Sequence, residues 1–125
     1  MLAAKEAMAT VAVRDLDEAK KFYGGTLGLR LTDQQEQEAL TYQAAGTKLL
    51  VYRSQYAGSN KATATTWLIG NDMEQVVQSL GRKGVAFEHY NLPGLTLNGD
   101  IHVADGMKVA WFKDPDGNIH ALVSG

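Results

Sequence analysis

The residues able to do chemistry in this chain are few. Its 125 residues contain no cysteine, so a thiolate metal site, a cysteine nucleophile and a disulfide frame are all excluded. What remains is Glu88, His89, Asp100, His102 and His120, with Asp114 and Asp116 near the end. Imidazoles and carboxylates together suit Fe, Mn, Zn or Ni and can leave positions open for substrate oxygens. Glu88 and His89 are consecutive on an expected strand and therefore face opposite ways. A set of His89, His102 and Asp100 across adjacent strands is the metal arrangement the spacing leaves open. The competing and favoured reading makes them polar residues at a loop and a cavity rim. Asp114 and Asp116 mimic a catalytic pair, but Asp114-Pro115-Asp116-Gly117 has Pro second and Gly fourth, and turn chemistry accounts for both carboxylates. Neither Gly-x-Ser-x-Gly nor a phosphate loop ending in Lys-Ser/Thr occurs.

The elements that must position these residues follow a plan that recurs. Ala9, Val11 and Val13 alternate with Met8, Thr10 and Ala12 at the period of a strand. Asp15 then caps a helix, with Glu18 three residues on and Leu16, Ala19, Phe22 and Tyr23 on one face, and Gly24-Gly25 weakens its end. Strands follow at 28–32, 39–45 and 48–53, with the polar run 33–38 as a hairpin turn. Near Thr63 the plan returns: a strand with Thr66, Trp67, Leu68 and Ile69, a cap at Asp72 with Gln75 three residues on, and a helix face of Met73, Val76, Val77 and Leu80. Setting Asp15 over Asp72 aligns the copies with one offset, which suggests a duplicated unit. The stretch 85–90 reads as a strand ended by Asn91-Leu92-Pro93-Gly94. Residues 95–105 read as a short strand or a lid, and 107–113 and 119–123 as a hairpin. The expected domain is single, with one module at about 6–53, a polar connection at 54–61 that could serve as a swap hinge, and a second module at about 62–125.

Composition narrows the function. A formal net charge of −2 with scattered Lys and Arg offers no basic field for nucleic acid. No run reaches the ~18 apolar residues of a membrane span and no secretory signal opens the chain, so a cytoplasmic protein without membrane partners is expected.

The run Val11-Ala12-Val13-Arg14-Asp15-Leu16-Asp17 leading to Phe22-Tyr23 and Leu27-Gly28-Leu29, with the closing Trp111-Phe112-Lys113-Asp114-Pro115-Asp116-Gly117-Asn118, resembles the vicinal oxygen chelate superfamily of glyoxalases, bleomycin- and fosfomycin-resistance proteins and extradiol dioxygenases. The resemblance covers nearly the whole chain. It implies an α+β fold of two βαβββ modules forming a curved mixed sheet with a concave cleft that often holds a divalent metal. It also places metal-binding histidine in the first strand of a module and glutamate in the last. Those positions carry Met8, Thr65 and Ala121 here, and Leu50, Val51 and Tyr52 in the first half, so no metal and no cofactor is expected. His120 lies one residue off that register and is expected to point toward the helix layer, as a structural or partly exposed residue.

Strand alternation then lines the cleft with Met8, Thr10 and Tyr52 from the first half and Thr65, Trp67, Tyr90, Trp111 and Ala121 from the second. This is an apolar and aromatic lining with a few hydroxyls, as in small-molecule sites, although aromatic residues at strand spacing also simply fill cores. The expected function is metal-independent binding of an apolar or aromatic small molecule. The alternatives are a metal-dependent lyase or dioxygenase at a displaced site, or a drug-sequestering protein using Asp33, Glu36 and Glu38 against cationic ligands. Each half is too small to bury its concave face alone, so a homodimer with an interface including the first strands is also expected.

Overall fold

The computed structural model describes residues 1–124. Strand β1 (Ala9–Val13) ends where Asp15 accepts bonds from the backbone N–H groups of Asp17 (2.8 Å) and Glu18 (3.3 Å), which satisfies two donors at the start of α1 (Leu16–Ala19). The helix then widens into a π-helical segment at Lys20–Thr26, containing Gly24-Gly25. There the Leu27 N–H reaches back five residues to the Phe22 carbonyl at 2.8 Å. Three strands follow, β2 (Arg30–Gln35), β3 (Ala39–Ala44) and β4 (Thr47–Arg53). The order is β1-β4-β3-β2, with β1 parallel to β4 and the rest antiparallel. The run expected as a turn from Asp33 is strand as far as Gln35. Only 36–38 turn, with Glu36 at φ +49°.

The second half repeats and then elaborates this plan. Strand β5 (Thr63–Leu68) lies parallel to β10 (Ile119–Ser124), and α2 (Met73–Arg82) packs Met73, Val77 and Leu80 onto the sheet. The strand expected over 85–90 shrinks to β6 (Phe87–Glu88), paired with the far end of β9 (Met107–Lys113). The uncertain stretch 95–105 is a hairpin of β7 (Thr96–Asn98) and β8 (Ile101–Ala104) that pairs with the near end of β9. Asp72 makes no side-chain cap. The closing hairpin forms as expected: Asp114 accepts the N–H groups of Asp116 and Asn118, and Gly117 sits at φ +89°. The fold is therefore α+β, with two mixed sheets and few helices.

The helix-covered faces of the two sheets share one core. Val11, Val13, Leu16, Tyr23, Leu40 and Val51 form one buried cluster and Met73, Leu80, Ala110, Phe112 and Leu122 another, and Phe22, Leu27 and Trp67 pack against both. The connection between the halves is tied down. Arg14 donates to the Ala57 carbonyl at 2.7 Å and to Asp116 at 3.3 Å, joining the end of β1, the connection and the last hairpin.

Candidate functional site

The most densely bonded polar group in the chain lies on this shared core. His120 is fully buried, and its Nδ1 accepts the Trp67 indole N–H at 3.1 Å. The Tyr23 hydroxyl donates to Asp114 at 2.7 Å, so its oxygen accepts the proton of His120 Nε2 at 3.0 Å. Asn118 donates to the same Asp114 carboxylate at 2.7 Å and to the Ala12 carbonyl at 2.8 Å. Every nitrogen of His120 is engaged, and burial pushes its pKa down to about 4, partly opposed by the Asp114 charge. Burial and the same carboxylate push the Tyr23 phenol up. This network holds the π-helical segment to the last hairpin through a neutral imidazole with no free position. His120 faces the helix layer, as its register requires.

The opposite faces of the two sheets are the candidate binding surface. On the first, Thr10 and Leu50 lie side by side, as do Ala12 and Tyr52, while their neighbours Val11, Val13, Leu49 and Val51 are buried under the helix. Met8 and Thr10 are exposed and Tyr52 is 40% exposed. On the second, cross-strand pairing sets Glu88, Trp111, Ala121 and Thr66 in one row. Trp111 is packed edge-on by Tyr90 (5.2 Å between centroids) and His102 (4.8 Å). Of the eight residues expected in the cleft, Met8, Thr10, Tyr52, Trp111 and Ala121 lie on this side of the sheets, Ala121 buried there, and Tyr90, outside any strand, packs against Trp111.

Thr65 and Trp67 do not lie on this side, and this corrects the reading of β5. Thr65 pairs with His120 and Trp67 with Leu122, so both turn into the helix-side core, while Thr66 and Leu68 take the open face. The cause is the connection to the helix. Between β1 and α1 stand Arg14 and Asp15, whereas 69–72 separate β5 from α2, with Gly70 at φ +70°. Aligning the two caps sets Val11, on the helix side, over Leu68, on the open face, so the unequal connections leave the two strands out of phase by an odd number of residues, which exchanges the faces. Thr66 and Leu68 were missed for the same reason. Leu68 is 87% exposed, far more than its apolar side chain would suggest.

The residues at the implied metal positions do not fit a divalent ion. Met8 offers a thioether, Ala121 a methyl group, and Thr65 points into the core. The alternative set is also unsuited. His102 is fully buried, accepts the Tyr90 N–H at 2.9 Å through Nε2 and lies 3.3 Å from the Val109 carbonyl through Nδ1, so neither nitrogen is open. His89 pairs instead with Asp100 at 2.7 Å on the surface. Among the described residues, no group of three or more His, Asp or Glu could hold a metal ion.

Comparisons with known proteins agree with this architecture. The family model for the Glyoxalase/Bleomycin resistance protein/Dioxygenase superfamily matches residues 7–122. A glyoxalase family protein from Enterococcus faecalis superposes with a TM-score of 0.74 at 18% identity, over 98% of this chain and 99% of that one. The fosfomycin resistance protein FosX from Mesorhizobium loti gives 0.69 at 13% identity, covering 96% and 91%. A lactoylglutathione lyase from Agrobacterium tumefaciens gives 0.68 at 18%, covering 97% and 94%. At these identities the likeness concerns the fold. No curated protein matches the sequence.

Proposed function

The chain belongs to the glyoxalase/bleomycin resistance protein/dioxygenase superfamily, and from that premise we propose that it binds a small apolar or aromatic molecule on its open sheet faces without a metal. The observation that carries this reading is the row Glu88, Trp111, Ala121 and Thr66. At position 121, where a metal-dependent relative would need a carboxylate, it carries only a buried methyl group, beside the half-buried indole of Trp111. Trp111, held edge-on by Tyr90 and His102, gives an apolar ligand a flat and rigid wall, and Thr10, Thr66 and Tyr52 supply a few hydroxyls for orientation. The open face of the first sheet is exposed, with Met8 45% accessible. In this reading a second copy closes the faces into a cleft, as a homodimer in the cytoplasm. Among the described residues no helix is long and apolar enough to cross a membrane.

Dialysis against Ni, Zn, Mn and Fe followed by elemental analysis tests the metal-independent part. Less than stoichiometric metal is expected, and one ion per chain with lyase or dioxygenase turnover overturns it. Light scattering at micromolar concentration should give about twice the chain mass. A monomer that still binds an aromatic ligand through Trp111 would refute the dimer alone. Nothing specific favours drug sequestration: β2 is exposed along its whole length, and Glu38 is already paired with Arg53 at 2.9 Å.

A further inference from the structure

We propose that the seam between the two sheets, on the side away from the open faces, holds a second binding site that takes one uncharged aromatic ring of about benzene to toluene size. A cavity of about 120 Å³ lies there, lined by eight residues of which Trp67 alone carries a polar side-chain atom. That atom, the indole Nε1, donates to His120 Nδ1 at 3.1 Å. No wall group is left to hold a water, which needs two to four polar partners in a buried site. The pocket is open to solvent on one side, and water within it gains no hydrogen bond from the side chains of the wall, so an apolar occupant can displace it.

Size and wall chemistry select the occupant. The chamber is about four-fifths of an apolar cavity of ~150 Å³ known to stay dry and admit benzene. Trp67 and Phe112 supply aromatic walls and Leu27, Val76, Leu80 and Leu122 branched aliphatic ones, a setting in which a ring gains edge-to-face and dispersion contacts. A charged group would find no partner inside. The pocket itself opens to the surface, and an adjoining surface depression of about 330 Å³ shares Leu27, Val76 and Leu80 and is rimmed by Asp72, Gln75, Ser79 and Lys83. Leu27 comes from the end of the π-helical segment in the first half, and the other walls named come from the second. An occupant thus touches both halves and stabilises their packing by mass action. This site is independent of the open faces, because Trp67 and Leu122 pair across the sheet on its helix side whereas Ala121 and Trp111 pair on the other.

The test is a titration of the full chain with toluene, followed by methyl carbon–proton correlation spectra and thermal unfolding. Saturable shifts are expected at the methyl groups of Leu27, Val76 and Leu122, with a raised Tm. Val76→Phe, which fills the chamber from α2, should weaken binding about tenfold or more. Shifts confined to Met8 and residues around Trp111, or no saturable shift up to the solubility of toluene, overturn the proposal. If Val76→Phe does not fold, the pattern of shifts in the unaltered chain decides the matter alone.

Discussion

Strands β1 and β5 hold the same place in their two halves, each an edge strand parallel to the last strand of its own sheet. Their helix-side faces are nonetheless built from different chemistry. β1 puts Val11 and Val13 against Leu49 and Val51, an apolar face under α1. β5 puts Thr65 beside His120 and leaves Trp67 bonded to the same imidazole. The second half has placed polar groups where the first has methyls. Such a face is stable only while every partner is present, because an orphaned buried donor costs more than its bond contributed.

The largest expected effect follows from that asymmetry. His120→Ala leaves the Trp67 indole N–H without a partner and opens a void, and should cost about 3–5 kcal/mol. Val51→Ala, at the matching place in the first sheet, removes only methyl groups and should cost about 2 kcal/mol. Urea denaturation of both variants measures the difference. Equal losses would show that the network adds nothing beyond packing.

The same histidine makes the second half sensitive to acid. Its pKa is about 4 in the folded chain against an ordinary value of 6.5. On acidification the unfolded chain takes up the proton first, so stability falls as the pH drops from about 6.5 and levels off below about 4. The sum across that window is roughly 3 kcal/mol. The His120→Ala variant should lack this part of the slope while keeping whatever the carboxylates contribute. Identical slopes in the two proteins would refute a neutral, buried His120.

A third comparison concerns how each half is tied to its connection. A side chain on Gly58, at φ +82°, would lie 2.7 Å from the Asp116 carbonyl oxygen and 3.1 Å from the Arg14 guanidinium, inside the clasp that joins the halves. Gly70 has a similar φ of +70° and nothing within 4 Å. Gly58→Ala should therefore cost about 2–3 kcal/mol, strain plus displacement of the clasp, and Gly70→Ala only the strain of about 1–2 kcal/mol. Chemical denaturation of the pair reads the difference, and a Gly58→Ala cost no larger than that of Gly70→Ala would show that the clasp yields freely.

Much of this arrangement was legible beforehand, for identifiable reasons. Alternation fixed the faces of β1, and the Asp114-to-Gly117 turn chemistry marked the last hairpin. The inward direction of His120 followed from its place one residue off the family register. The facing of Thr65 and Trp67 was not legible, because the reading assumed equal spacing between strand and helix in both halves. A longer connection at 69–72 broke that assumption. The bond from Tyr23 to Asp114 was equally hidden. Tyr23 fits an apolar helix face by periodicity, and 91 positions separate it from its partner. The β7–β8 hairpin was missed because its strands are short and lack a strong alternating pattern.

The smallest predicted effect is the one of unexpected sign. Among the described residues, Thr65 Oγ1 is the buried side-chain oxygen or nitrogen with no hydrogen-bond partner, although its neighbours on that face form the His120 network. The hydroxyl has given up water for nothing, and a valine of nearly the same shape would fill the space without that loss. Thr65→Val should therefore stabilise the chain by about 1 kcal/mol, because a buried unsatisfied hydroxyl carries a penalty of about that size. Thr66→Val, on the exposed open face one residue away, should change stability by less than about 0.5 kcal/mol. The two substitutions are chemically identical and differ only in which face they meet, so urea midpoints of the pair test the corrected register of β5 directly. A gain at Thr66 with none at Thr65 would return the strand to the register that alignment of the helix caps implied. A loss at Thr65 would mean that its hydroxyl has a bound partner in solution.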